Sequence, residues 1–265
     1  MQDQEKQFAL EIAVISLASS TERRKLVCER MKQCPVPWRI HDASNGEDNP
    51  LPYDPDRAMI TYGARLTPNE IGCCVSHYRC IREFAFSESR FNYMLVLEDD
   101  VWVDFGFNFA GLPRVMSRLG MEYLKLYSRQ IAGTIFLGRF GHRSFFRFTR
   151  PQWGNQAFVV SREGARRFVA AIPRIDRMID DEMDRYWVNG LPTYALYPYP
   201  VVELNSPSTV PKGTAAGEKL SPKQKVLRIL FRLQTKLRRT YANRLLRSRD
   251  RKIYQLLNQP DMPQL

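Results

Sequence analysis

Tyr93-Met94-Leu95-Val96-Leu97-Glu98-Asp99-Asp100 (YMLVLEDD) is the stretch that decides the fold. A short apolar run that stops at polar residues reads as a buried strand. Here it stops at three carboxylates in a row, which repel one another and raise one another's pKa values. A divalent cation removes that penalty, because Mg²⁺ or Mn²⁺ takes hard oxygen ligands and often shares them with substrate phosphates. Alternation along an extended chain puts Glu98 and Asp100 on one face and Asp99 on the other. Glu98 and Asp100 are therefore the candidate metal ligands, and Asp99 a candidate acceptor for a sugar or ribose hydroxyl. The competing reading is an acidic turn in solvent. The carboxyl end of a buried strand is where α/β sheets place ligands, and that favours the site.

Outward from this strand the pattern alternates. Ile12–Leu17 (IAVISL) reads as another short buried strand, followed by Ser19-x-x-Glu22, a capping-box pattern that predicts a helix to about Lys32. Trp38–Ala43 predicts a strand, and 44–66 a Pro/Asn/Asp-rich loop. Thr67-Pro68-Asn69-Glu70 supplies an N-cap, a first-turn proline and a box-closing Glu for a helix to about Ser87. Beyond the acidic cluster come a helix at Pro113–Leu119, a strand at Tyr123–Tyr127, strand-rich sequence at 143–149, a strand at Gln156–Ser161 and a helix at 162–171. Strands alternating with helices predict an α/β fold with a mixed, largely parallel sheet. No P-loop, no dinucleotide-binding glycine motif and no G-x-S-x-G elbow is present.

With 265 residues, 44% hydrophobic, the chain is large enough to bury a core. No apolar run approaches the about 20 residues of a membrane span. The start, MQDQEKQFALEI, lacks the basic and apolar regions of a secretory leader, so none is expected. Five cysteines, two of them adjacent (Cys73, Cys74), predict free thiols in a reducing compartment rather than a disulfide framework. Cys73, His77 and Cys80 share one helical face, but zinc would want a fourth ligand that is not evident. Residues 212–254 hold 14 of the 40 Lys+Arg and only 2 of the 28 Asp+Glu, so the whole net charge of +12 sits there. The expected division is therefore a neutral domain over 1–211 and a basic helical tail over 212–265. Within the tail, Val226, Leu230, Leu233, Leu237, Tyr241 and Leu245 form one helical stripe flanked by Lys and Arg. Such a helix suits an anionic membrane surface through 222–247, or packing on the domain; nucleic acid is the weaker alternative.

Four blocks in order give the chain a resemblance to glycosyltransferase family 25, enzymes of lipooligosaccharide and lipopolysaccharide biosynthesis. They are Ala13–Arg24 (AVISLASSTERR), Leu66–Phe84 (LTPNEIGCCVSHYRCIREF), Met94–Val101 (MLVLEDDV), and Trp153–Phe168 with Ile179–Trp187. Asn69 stands where the family usually has Gly. The resemblance implies a GT-A-like single nucleotide-sugar-binding domain, with Glu98-Asp99-Asp100 as its DXD-like motif joining Mn²⁺ or Mg²⁺ to the donor diphosphate. It implies that Ser16, Leu17, Arg23 and Arg24 lie against a UDP-sugar. It also raises binding roles for Glu70 and His77, although Glu70 serves equally as a helix cap. Asp180 and Asp181 become the candidate general bases, with Asp184 structural against Arg185 or Arg177. Trp153, Gly154, Asn155 and Gln156 either line a sugar pocket or pack in the core.

The function expected from these readings is inverting transfer of a hexose, galactose first, from a UDP-sugar to a lipopolysaccharide or lipooligosaccharide core acceptor. The enzyme would be cytoplasmic and peripheral on the inner membrane. The alternatives are another Mg²⁺-dependent phosphate-processing enzyme and a non-catalytic peripheral membrane module.

Overall fold

The computed structural model describes residues 8–46, 48–204 and 219–260. The expectation at the very N-terminus and the proposed division at 211/212 lie outside these residues. An eight-stranded sheet has the order β2-β1-β3-β8-β5-β9-β7-β6. Its strands are β1 (Leu10–Ser16), β2 (Trp38–Asp42), β3 (Tyr93–Glu98), β5 (Tyr123–Lys125), β6 (Thr134–Phe140), β7 (Arg143–Phe148), β8 (Ala157–Ser161) and β9 (Tyr194–Tyr197). A small antiparallel pair joins β4 (Val101–Val103) to β10 (Val201–Glu203). The sheet is mixed: β1 pairs parallel with β2 and β3, and β5 with β9, while the other neighbours run antiparallel.

Alternation along the buried strands splits the core into two layers. Leu10, Ile12 and Val14 of β1 and Leu95 and Leu97 of β3 face one side. There they meet α1 (Thr21–Met31), α4 (Leu112–Leu119) and α9 (Arg247–Leu257). Ala13, Ile15, Met94 and Val96 face the other side, against α3 (Pro68–Phe86), α5 (Arg162–Ala171) and α6 (Ile179–Met183). The chain leaves β1 through α1 to β2 on one flank, then crosses through α3 to β3 on the other flank of β1. The order therefore reverses at β1, and a crevice opens at the carboxyl ends of β1 and β3.

Local chemistry accounts for the element ends. α3 starts as expected: the Thr67 side chain accepts from Glu70 N–H, and the Glu70 carboxylate accepts from Thr67 N–H. The box expected at Ser19 does not form; Ser20 is the N-cap of α1 and makes no side-chain cap bond. The loop expected over 44–66 contains a helix, α2 (Pro55–Thr61), capped by Asp54 and opened by Pro55. That cap-and-proline signal is short, and α2 is held in place from outside its own sequence. The Arg57 side chain donates to Asp176 (2.7 Å), and Thr61 donates to the Asp176 carbonyl (2.7 Å).

The C-terminal segment divides in two. α9 belongs to the core: Ile253 and Leu257 pack into it, and the Leu257 side chain sits where Gly138, at φ 144°, leaves room in β6. Asp250 takes two hydrogen bonds from Arg147 of β7, from Nε (2.7 Å) and from a terminal nitrogen (2.9 Å). Arg147 is fully buried. A residue of the expected basic helical tail thus supplies the counter-ion of a core arginine. Preceding α9 is α8 (Pro222–Leu245), which packs on α2 and on α7 (Tyr186–Asn189).

Removing one partner of a buried pair strands the other charge. Asp250→Ala is expected to lower stability by about 3–5 kcal/mol. Arg147→Met combined with Asp250→Leu is expected to recover most of that loss in thermal or urea unfolding. An unchanged melting temperature for Asp250→Ala would show that α9 is not part of the cooperative unit.

Candidate active site

Glu98, Asp99 and Asp100 emerge at the crevice, and each meets a different fate. Glu98 ends β3 and turns toward α3, where its Oε1 lies 3.1 Å from Nε2 of the buried His77. Asp99 is fixed by β1 and α1: Ser16 Oγ donates to it (2.7 Å), and so does Arg23 (2.9 Å). Asp100 has a buried oxygen, Oδ1, without a hydrogen-bond partner among the described residues. Burial, then the negative charges of Glu98 and Asp99, push the Asp100 carboxyl up to about 6, with Arg23 pulling the other way. A buried carboxylate oxygen left unpaired among like charges fits a hard divalent cation. Glu98 and Asp100 are the residues placed to hold it.

A second wall comes from the far half of the sheet. Asp180, on α6, accepts from Gly154 N–H (2.9 Å) and Asp181 N–H (2.8 Å). Asp181 turns away to Arg177 (3.2 Å), which also binds Asp176 and Glu182. Burial outweighs that guanidinium and raises the Asp181 carboxyl above its ordinary value. Cys73 lies on α3 beside His77 and Glu98. Its thiol is pushed up by burial, then by Glu98, with Asp180 also contributing.

Between the walls lies the turn into β8. Trp153 is half exposed and adopts φ 58°, a left-handed conformation rare for a bulky residue and common only where a site holds strain. It is therefore not a core residue. Gly154 follows at φ 87°; a Cβ there would stand 2.8 Å from Gln156 Oε1. Asn155 points inward to Tyr123 and Met183. Gln156 Oε1 is a second buried acceptor without a partner among the described residues, and its Nε2 donates to Glu203 (3.3 Å). The turn is anchored by Asp184, which accepts from Gln152 N–H (2.9 Å) and pairs with Lys125 (3.1 Å) in the dry interior.

Several expected roles change. Arg24 bonds the carbonyls of Leu17 (2.9 Å) and Ser16 (2.6 Å) and the Asp42 carboxylate (2.6 Å), so it latches the β1 exit loop. The Leu17 carbonyl is thereby occupied. Glu70 is a buried cap. Asp184 pairs with Lys125, not with Arg185 or Arg177. Cys80 contacts Met94 Sδ in the core, apart from Cys73 and His77. Among the described residues, Cys73, His77 and Glu98 bring ligand atoms within 4.8 Å of one another. All five cysteines are free.

Three residues were not foreseen. Glu203 accepts from Tyr127 Oη and pairs with Arg129 (3.2 Å), and the next residue's N–H, from Leu204, donates to the Asp100 carbonyl (2.8 Å). Glu203, Tyr127 and Arg129 thus close the crevice beside Asp100. An acid at the end of VVE is weak evidence in sequence, because its meaning comes from the β4–β10 pairing. On the α1 side, a cavity of about 330 Å³ adjoins Glu98, lined by Val14, Val27, Met31, Leu97 and Trp102.

The carboxylates therefore gather at the reversal point of an α/β sheet, where such sheets place ligands. Residues 9–131 match the family model of glycosyltransferase family 25 (LPS biosynthesis protein). The match takes in the first three of the four sequence blocks. No curated protein matches the chain. Among solved structures, Drosophila β1,4-galactosyltransferase 7 in a mutant form complexed with manganese, UDP-Gal and xylobiose is similar at 10% identity and TM-score 0.37, over 83% of this chain and 79% of that one. The catalytic domain of the same Drosophila enzyme with xylobiose gives TM-score 0.39 at 10% identity and the same coverage. The likeness is remote.

A carboxyl raised to about 6 is favoured in its acid form by the fold. That contribution to stability is complete below about pH 4 and is lost as pH rises through about 6. Asp100→Asn is therefore expected to melt higher than the parent at pH 7.5, by roughly 1 kcal/mol after solvent screening, and level with it near pH 4, both with chelator present. Equal melting temperatures at both pH values would mean that Asp100 is not strained.

Proposed function

We propose that the chain transfers a hexose, galactose in the first instance, from a UDP-sugar to a hydroxyl of a lipopolysaccharide or lipooligosaccharide core, with inversion, on a GT-A-like scaffold. The observation that carries this reading is the buried oxygen of Asp100, which has no hydrogen-bond partner among the described residues. Glu98 and Asp100 would hold Mn²⁺ or Mg²⁺, which would supply charge stabilisation for a departing diphosphate. His77 orients Glu98 through its 3.1 Å contact. Ser16 and Arg23 fix Asp99 at the crevice, where a ribose hydroxyl can donate to it. Gln156 Oε1 is an acceptor for a sugar hydroxyl, and the exposed ring of Trp153 offers a face for the sugar's C–H surface.

In the reaction the acceptor oxygen bonds the anomeric carbon as the bond from that carbon to the β-phosphate oxygen breaks. UDP leaves with the electron pair, and the hydroxyl proton passes to a carboxylate. Asp180 suits that role better than Asp181. Among the described residues its oxygens accept from backbone N–H groups only, whereas Asp181 is bound to Arg177. A base must reach the hydroxyl with a lone pair free. A lipid-anchored acceptor would place the enzyme at the cytoplasmic face of the inner membrane.

Product analysis tests the reading. UDP-galactose with Mn²⁺ is expected to yield UDP and a transferred or hydrolysed sugar; inorganic phosphate or pyrophosphate as product would favour another phosphate-processing enzyme. Asp100→Asn is expected to reduce turnover by about 10²–10³-fold, the equivalent of about 3–4 kcal/mol at the transition state. Metal-independent turnover with Asp100→Asn fully active would remove the proposal. Asp180→Asn is expected to reduce transfer to the acceptor hydroxyl by about 10²–10⁴-fold while donor binding by calorimetry stays intact.

A further inference from the structure

We propose that the outward face of α8 is a docking surface for an anionic lipid bilayer. α8 is inverted relative to an ordinary surface helix. The side that meets the domain is largely polar. Arg228 donates to the carbonyls of Ile60 (3.2 Å) and Tyr62 (2.8 Å) at the end of α2, and a Cβ on Gly63 would collide with it. Asn243 accepts from Arg147 (2.7 Å), and Arg239 lies over the Trp187 ring. Phe231 is the inward apolar residue, under the guanidinium of Arg177.

The opposite side carries Val226, Leu230, Leu233, Leu237, Tyr241 and Leu245, each more than half exposed. At 100° per residue they form one stripe along a 24-residue helix, about 36 Å long. A continuous exposed apolar stripe of this length marks an interaction surface. The flanks decide the occupant. Lys225, Arg232 and Lys236 line one edge and Arg238 the other, all exposed, and Arg244 falls within the stripe near its end. Within residues 219–260 the one acid is Asp250, which is buried against Arg147. A second copy seated on this face would set these cations against their own kind. Anionic head groups neutralise them, while the stripe enters the acyl boundary with the helix in the plane of the surface. α8 also adjoins Arg177, the partner of Asp181, so docking would bring the acidic wall of the crevice toward the bilayer. That consequence rests on the lipid-anchored acceptor proposed above; the lipid binding does not.

The test is co-sedimentation of the full chain with vesicles of phosphatidylcholine alone, or with about one third phosphatidylglycerol, in the absence of donor and acceptor. Binding to the anionic vesicles is expected to be at least about tenfold stronger and to weaken with salt. Replacing Leu230, Leu233 and Leu237 together by Gln is expected to reduce it at least about tenfold, with melting temperature and UDP release unchanged. Arg232→Gln with Lys236→Gln is expected to reduce the preference for anionic vesicles. Three results would overturn the proposal: no sedimentation of the parent chain, equal sedimentation of the triple variant, or a lipid-free dimer that the triple variant dissociates. Vesicle binding without UDP release would count against the transferase reading and leave the docking surface standing.

Discussion

Three adjacent carboxylates at one strand end are the constraint around which the rest of the crevice is arranged. Each is handled by a different element. His77 of α3 takes Glu98, and Ser16 of β1 with Arg23 of α1 takes Asp99. Asp100 is left with an unpaired buried oxygen and a raised pKa. A fold that satisfied all three would be more stable; the one left open is what the proposed cation would neutralise.

The sheet makes that arrangement possible. Because β2 and β3 flank β1, helices leave on opposite faces and the strand ends between them stay uncovered. The antiparallel half then delivers the turn before β8, and with it Trp153, Gly154 and Gln156, next to β3. The buried Lys125–Asp184 pair holds that turn from behind and touches no exposed part of the crevice. Its role is to fix the position of that turn.

At the C-terminus, neighbouring helices of similar basic composition do opposite things. α9 sends an aspartate and two aliphatic side chains into the core, whereas α8 lies on the domain by its polar side. Composition alone cannot separate them, because the difference lies in which face meets the sheet.

Much of the fold was legible in the sequence. The strands at β1, β3 and β8 follow from continuous apolar runs, and the start of α3 from Thr67, Pro68 and Glu70, because these signals are local. α2 was not legible as a helix: its short cap-and-proline signal sits in a loop-like composition and is held by Asp176, more than a hundred residues away. In the site, the carboxylates of 98–100 and the Asp180 cluster could be read as chemistry, since runs of like charge are conspicuous. Glu203, Tyr127 and Arg129 could not, because only strand pairing brings them to Asp100. The linear chain determined where charge accumulates; the tertiary structure decided which charges are neutralised and which are left open, because that depends on partners brought together across the sheet.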